Sequence, residues 1–417
     1  MGIGIIDSIF LTINLTCSVL EVKSHALHTQ DPVMKRIRSN NFTLNVNSLS
    51  APTPRKPYLC TSCLRKYSSS ATATQIPTTI PESGFAHLST RRLVSLRGRD
   101  STKYLHGMIT GHVEWKDRGG FYTALLNARG RVLNDVFVYP DLSAGDGSVE
   151  GNWLIEVDAK EVDFLAKHLS RYKMSSKFEV KVVGEEEKKV WSLWGADGAD
   201  GAELGGNVVG CQDSRAPGMG RRLVLEGGKK PEVDVEESGV DVYRVRRYLN
   251  GVPEGQDELL KEAALPQESN IDVMGGIDYT KGCYLGQELT IRTYHQGLVR
   301  KRIVPMMVLA EGEEWPQKLE WRGGDVASQV KSGGDIKKIA EGGAAKGRPA
   351  GKWLTGVGNL GLGLARLESM GGWKDGSTWI ANTDEFAVEG ENEADGKLRV
   401  RTFPPVWFKE TDASPSS

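Results

Sequence analysis

The chain has 417 residues, 39% of them hydrophobic and ten of them tryptophan, enough for two or three domains with sizeable cores once tails are set aside. A formal net charge of -1 argues against a global basic field for nucleic acid, and no uninterrupted apolar run is long enough to span a bilayer. The five cysteines, Cys17, Cys60, Cys63, Cys211 and Cys283, are few and scattered, which argues against a secreted disulfide framework.

Residues 1–83 read as a presequence and tail rather than as part of the fold. From Met34 to Pro81 there is no Asp or Glu, while Lys35, Arg36, Arg38, Arg55, Lys56, Arg65 and Lys66 sit among many Ser and Thr. A basic, Ser-rich, acid-free segment has the composition of a mitochondrial presequence. Ile5 to Leu20 is apolar, but Asp7 interrupts it and no basic segment precedes it, so Met34 is a better start for such a leader. Cys60-Thr61-Ser62-Cys63 is a lone C-x-x-C without a second pair at metal-site spacing.

Order is expected from near Gly84. Phe85 to Leu96 reads as a strand and Asp100 to Ile109 as a helix, with Tyr104, Leu105 and Met108 at helical spacing. Phe121 to Leu126 and Val132 to Tyr139 are strands joined by a turn at Asn127-Ala128-Arg129-Gly130-Arg131. Trp153 to Val157 is a strand, and Glu161 to Tyr172 is an amphipathic helix with Val162, Leu165, Ala166 and Leu169 on one face. Phe178 to Val183 and Val190 to Trp194 are strands, and Gly195 to Gly210 and Gly227 to Gly239 are loops. Val242 to Leu249 begins a helix whose Arg244, Arg246 and Arg247 read as a solvated face.

From Lys301 short strands alternate with Gly-rich turns: Ile303 to Leu309, Trp353 to Val357, Leu362 to Leu367, Trp379 to Asn382 and Lys397 to Phe403. That pattern predicts a small C-terminal β-barrel over 301–408, with a Gly- and Lys-rich loop insertion at 323–351. Gly356-Val357-Gly358-Asn359-Leu360-Gly361 matches G-x-G-x-x-G, but no strand–helix unit surrounds it, so it reads as a β-turn. Strands without regular helix alternation make the whole an α+β fold.

The densest chemistry lies in Lys281-Gly282-Cys283-Tyr284-Leu285-Gly286-Gln287-Glu288. Glycines allow a thiol to be presented on a tight turn, and a nearby ammonium favours the thiolate, which is both nucleophile and metal ligand. Taken alone, such a cysteine is more often a small buried hydrophobe than a reactive group.

The octet meets K-G-C-[YFW]-x-G-Q-E at every position and resembles the hallmark of the YgfZ-like family, relatives of the glycine-cleavage aminomethyltransferase. Lys103-Tyr104-Leu105-His106-Gly107-Met108-Ile109-Thr110 is similar to the family's early F-L-Q-G-x-x-T helix. Leu126-Asn127-Ala128-Arg129-Gly130-Arg131-Val132-Leu133-Asn134-Asp135-Val136 resembles its L-N-x-x-G-R-x-x-x-D-V turn. Asp213-Ser214-Arg215 with Gly220 and Arg222 resembles D-P-R…L-G-x-R, and Gly361 to Arg366 the closing strand. Tyr243 to Gly255 and Leu265 to Asn270 are similar to the family's blocks before the octet. The family usually has N-D where this chain has Gly111-His112, and often an aromatic residue where it has Arg221. The G-Y-T-G-E block of true aminomethyltransferases is missing, which favours the assembly branch.

The resemblance, spanning roughly 84–408, implies three subdomains around a folate-sized centre, two of them within 84–300, followed by the barrel. It implies a matrix factor for late iron–sulfur cluster assembly that helps to mature four-iron four-sulfur proteins. Its partners would be A-type scaffold proteins and recipient four-iron apoproteins, with no stable membrane insertion. The implied cofactors are tetrahydrofolate and a cluster held transiently with a partner. Asp135 would form the polar wall for a pterin, and Arg292 or the arginines at 244, 246 and 247 would meet its glutamate tail. Asp135 reads equally as a strand aspartate satisfying backbone amides. Cys283 would supply one ligand to a shared cluster or hold a transferred group, since one cysteine cannot hold a cluster alone. Lys281 and Glu288 would assist it, and Gly282, Tyr284, Gly286 and Gln287 would shape the site. Two alternatives are a folate-dependent aminomethyl transferase and a non-catalytic adaptor, and the frame reads as one used for assembly rather than turnover.

Overall fold

The computed structural model describes residues 76–113, 119–142, 151–195, 208–340, 345, 347–374, 378–382, 384–390 and 397–408. All the described residues belong to one compact unit. Of the expected presequence and tail, 1–83, residues 1–75 with the Cys60–Cys63 pair lie outside the described residues.

In chain order the elements begin with β1 (Gly84–His87), β2 (Arg91–Arg97), α1 (Ser101–His106), β3 (Phe121–Leu126), β4 (Val132–Pro140) and β5 (Asn152–Asp158). There follow α2 (Val162–Tyr172), β6 (Glu179–Val182), β7 (Lys188–Trp194), β8 (Val209–Gln212), β9 (Arg221–Glu226), α3 (Val240–Leu249) and α4 (Gln287–Gln296). The C-terminal part holds β10 (Lys301–Leu309), β11 (Asp335–Lys338), β12 (Gly351–Val357), β13 (Leu360–Arg366), α5 (Leu367–Met370), β14 (Gly371–Lys374), β15 (Thr378–Ala381), β16 (Phe386–Glu389) and β17 (Lys397–Thr402).

The first sheet has the order β3-β4-β5-β2-β6, with every pairing antiparallel. Its strand β4 is buried at all nine positions. Alternate residues therefore feed two cores, Val136 and Val138 on one side and Phe137 and Tyr139 on the other. Helix α2 closes the first side by burying Val162, Leu165 and Leu169, the helical stripe legible in the sequence.

The second sheet has the order β1-β7-β9-β8. Strands β1 and β2 thus belong to different sheets, whereas Phe85 to Leu96 was expected as one strand. A turn through Ser89 and Thr90, closed by the Arg91 N–H donating to Leu88 O at 2.9 Å, separates them. Structure also begins before Gly84: Ile76 and Ile80 pack on the core, and Trp194 Nε1 donates to Pro81 O at 3.3 Å.

The predicted barrel is a closed one, β10-β13-β12-β11-β16-β17, filled by Met306, Trp353, Phe386 and Val400, but the strand expected at Trp379 to Asn382 lies outside it, in the two-stranded sheet β14-β15. The Gly356–Gly361 segment is the β12–β13 hairpin, in which Val357 pairs with Leu360. Gly361 faces Trp353, whose ring would lie 2.0 Å from an added Cβ, so the glycine there serves packing. The supposed loop insertion at 323–351 is corrected in part. It contributes β11 to the barrel and buries Ala327, Val330 and Ile336. Helix α3 places Val245 and Tyr248 against barrel leucines 360, 362 and 364, while its Val242 and Tyr243 join the core of the two sheets. Among the described residues no helix is long and apolar enough to cross a membrane.

Candidate functional site

Three sequence blocks that lie far apart in the chain meet at the octet. Gly286 has φ 80° and precedes α4, and a Cβ there would lie 2.3 Å from Asn127 O. Gly130, at φ 74°, leaves no more room, since its Cβ would lie 2.8 Å from Gly286 O. Two glycines in the left-handed region thus let two turns touch backbone to backbone. The Asn127 side chain shapes the first turn by accepting the N–H groups of Arg129 and Arg131, each at 3.0 Å. The second turn is fixed by Gln287, whose Oε1 accepts the Tyr284 N–H at 3.1 Å.

The third block is the end of α1. The Leu285 N–H donates to Gly107 O at 2.9 Å. Lys281 Nζ donates to His106 O at 2.6 Å and to Ile109 O and Gly111 O, each at 2.8 Å. All three ammonium protons are committed to backbone carbonyls at a helix C-terminus, where a cation is favoured. Burial pushes Lys281 down to about 8, with Asp278 opposing. The sequence pointed to Lys281 as a promoter of the thiolate; the structure places it as the clamp that seats the octet on α1.

Cys283 stands on this fixed loop as an exposed, free thiol, whereas Cys211 is buried in β8. An added Cβ on Gly282 would lie 3.6 Å from His106 Nε2, so an imidazole borders the thiol's neighbour. The His106 and His112 rings are 4.8 Å apart, and His112 Nδ1 lies 3.7 Å from Asp278 Oδ2. Burial, then Lys281 and His112, hold His106 below the ordinary histidine value. Among the described residues no group of three or more His, Cys, Asp or Glu is arranged to hold a metal ion. The arrangement is chemically a presented thiol, able to attack or to give one ligand to a metal held from the other side.

The other predicted residues separate into two groups. Tyr284 is buried beneath the Lys281 ammonium, 5.0 Å from its ring centroid. Glu288 and Arg292 pair with each other at 2.5 Å on the exposed face of α4. Asp135 is fully buried in β4, where Oδ1 accepts Arg91 Nη1 at 3.3 Å and the Gly255 N–H at 3.1 Å. Among the described residues no hydrogen bond or ion pair joins Asp135 to the octet.

Asp135 belongs instead to a buried lattice of charges that sequence reading missed. Arg91 Nε donates to Glu156 Oε1 at 2.8 Å, and Arg222 Nη1 reaches the same oxygen at 3.0 Å. Arg215 donates to both oxygens of Asp213 at 2.9 and 2.7 Å and to Glu254 Oε2 at 2.9 Å. Arg222 also pairs with Glu254, and the Tyr243 hydroxyl donates to the same carboxylate at 2.8 Å. Burial opposes ionisation of Glu254, but Arg222, Arg215 and Arg247 outweigh it and hold the carboxyl well below its usual range. The arginines of α3 do not form the solvated face expected of them. Arg247 is 5% exposed and forks onto Glu258 at 2.7 and 2.9 Å. Arg246 packs over Trp194 and donates to Gly218 O at 2.7 Å. Arg244 and Arg246 keep partial exposure, Arg244 lying 3.4 Å from Asp241. The available signal was that Asp213, Arg215, Arg222, Tyr243 and Glu254 all fall in the blocks that carried the resemblance.

Comparison with known proteins agrees with this architecture. Residues 300–410 match the model of the CAF17 C-terminal β-barrel domain. The glycine cleavage system aminomethyltransferase T of Bartonella henselae superposes with a TM-score of 0.55 over 80% of this chain and 88% of that chain, at 14% identity. It shows that the fold is aminomethyltransferase-like. The iron-sulfur cluster assembly factor IBA57 homolog, mitochondrial, of Pyricularia oryzae is 43% identical over 78% of this chain and 85% of its own length. The proteins of the same name from Chaetomium globosum and Coccidioides immitis are 38% and 40% identical, over 84% and 79% of this chain and 89% and 84% of theirs. This chain therefore belongs to the family of mitochondrial IBA57 homologues.

Proposed function

We propose that this chain is an iron–sulfur cluster assembly factor of the mitochondrial matrix that helps to mature four-iron four-sulfur proteins through Cys283. The observation that carries this is the presentation of one exposed thiol on a loop pinned by Lys281, Leu285 and Gly286. A single thiol with no set of three or more metal-ligating side chains around it among the described residues is suited to completing a cluster held by another protein's thiolates. The partners that fit are an A-type scaffold supplying those thiolates and a recipient four-iron apoprotein. The relatives' names support the assembly role and the compartment.

Tetrahydrofolate, the other group that the family resemblance implies, does not fit the residues present. Asp135 is engaged by Arg91 and Gly255, and Arg244, Arg246, Arg247 and Arg292 each pair with a protein group. No step is assigned to it.

The test is Cys283→Ser in cells whose only copy is the variant, with aconitase activity in the matrix as the readout. Activity should fall several-fold at unchanged protein level. Wild-type aconitase activity would remove the thiol from the function and leave the adaptor reading.

A further inference from the structure

The lattice of buried charges lies where three parts of the fold converge. Arg91, Asp135 and Glu156 come from the first sheet, Asp213 and Arg222 from β8–β9 and the turn beside it, and Tyr243 and Glu254 from α3 and the loop after it. The family resemblance would place a pterin at this convergence. We infer that the side chain of Arg215 occupies the pterin's place, and that this chain works with a folate-free, closed centre.

A pterin is a flat ring system that stacks on aromatic faces and is held by polar groups at its edge. The aromatic faces are present as Tyr122 and Phe137, on adjacent strands of the first sheet. They are covered by Arg215, whose guanidinium carbon lies 5.3 Å from the Tyr122 centroid and 4.9 Å from the Phe137 centroid. The guanidinium is itself planar, and its edge is held by four hydrogen bonds to Asp213, Glu254 and the Tyr243 hydroxyl. A heterocycle entering here must expel a fully buried cation from a forked ion pair.

Two buried polar atoms nearby, Asp135 Oδ2 and Tyr122 Oη, have no hydrogen-bond partner. They are the groups a pterin edge would satisfy, yet Asp135 Oδ2 lies 3.3 Å from Arg91 Nη1, and Tyr122 is sealed beneath Arg215. A cavity of about 350 Å³ opens beside the lattice, at the small end of the ~300–1,000 Å³ typical of ligand pockets. Asp135 does not line it, because Arg91 and Gly255, its own partners, form the wall. Its four cationic side chains are matched by four carboxylates, so no net positive charge attracts a glutamate tail.

The inference is independent of the role of Cys283 and is tested by binding alone. Tetrahydrofolate and its triglutamate are titrated anaerobically into the full chain by calorimetry, and the thermal midpoint is recorded at the highest concentration. The expected result is no saturable heat and an unmoved midpoint, because a ligand specific for the folded state must raise it. Saturable 1:1 binding that Asp135→Asn weakens at least tenfold would overturn the inference. So would saturable binding that Asp135→Asn leaves intact, since a folate site elsewhere still makes this chain a folate protein.

Discussion

Gly286 and Gly282 occupy the same octet and do different work. Gly286 is left-handed and abuts Asn127 O, whereas an added Cβ on Gly282 meets nothing nearer than His106 Nε2 at 3.6 Å. Gly286→Ala combines the left-handed penalty of roughly 1–2 kcal/mol with overpacking of roughly 1–3 kcal/mol. It should cost about 2–5 kcal/mol in urea unfolding, while Gly282→Ala should stay within about 0.5 kcal/mol of wild type. The two thiols offer a second contrast. Burial pushes the Cys211 thiol up, whereas Cys283 is exposed. Under native conditions iodoacetamide should label the Cys283 peptide and leave the Cys211 peptide unmodified until denaturant is added, as peptide mass mapping would show. Equal labelling of both would mean that β8 does not bury its cysteine. The octet was legible as chemistry because its residue types are rare in combination. The commitment of Lys281 was not, because its three acceptors are backbone carbonyls about 170 residues earlier, which carry no side-chain signature.

At the scale of elements, legibility followed burial. Strands β3, β4, β5 and β7 and helix α2 bury continuous or periodic apolar sets and were readable as such. Helix α4 was missed because Gln287–Gln296 buries only Thr290 and so shows no apolar stripe. Strand β11 has one buried residue, Ile336, in four, and β9 opens on two arginines. A helix with so little packing is held at its N-terminal side: Gly286 is wedged on the Asn127 turn, and Gln267 Nε2 donates to Thr290 O at 3.0 Å. The amides of α4 should therefore exchange with solvent faster than those of α3, which buries five residues. Hydrogen-exchange mass spectrometry reads this directly, and equal protection would show that packing does not set the order.

Across the whole molecule the buried lattice joins parts that hydrophobic patterning alone leaves separate. Its partners are distant in sequence, as with Arg91 and Glu156 or Arg222 and Glu254, so neither periodicity nor spacing exposes them. Charged residues also read by default as surface, which is why the arginines of α3 were expected in solvent. The lattice sets the acid limit of the fold. Glu254 and Asp213 are depressed in the folded state, so their contribution is complete above the unfolded carboxylate value of about 4 and is lost as pH falls through the lower folded value. Urea midpoints should hold from pH 7 to 5 and fall below about 4. Glu254→Gln, which leaves buried guanidinia undercompensated, should cost about 3–5 kcal/mol at pH 7 and flatten that acid fall.

The fold thus carries two distinct constructions, a closed and charge-locked interior and one thiol held at the surface. The role of that thiol is tested most directly by the absorption spectrum of the full chain co-purified anaerobically with an A-type scaffold, wild type against Cys283→Ser. Cluster absorption in the wild-type complex that is lost in the serine variant is the predicted result. Equal cluster absorption in both would contradict a ligand role for Cys283.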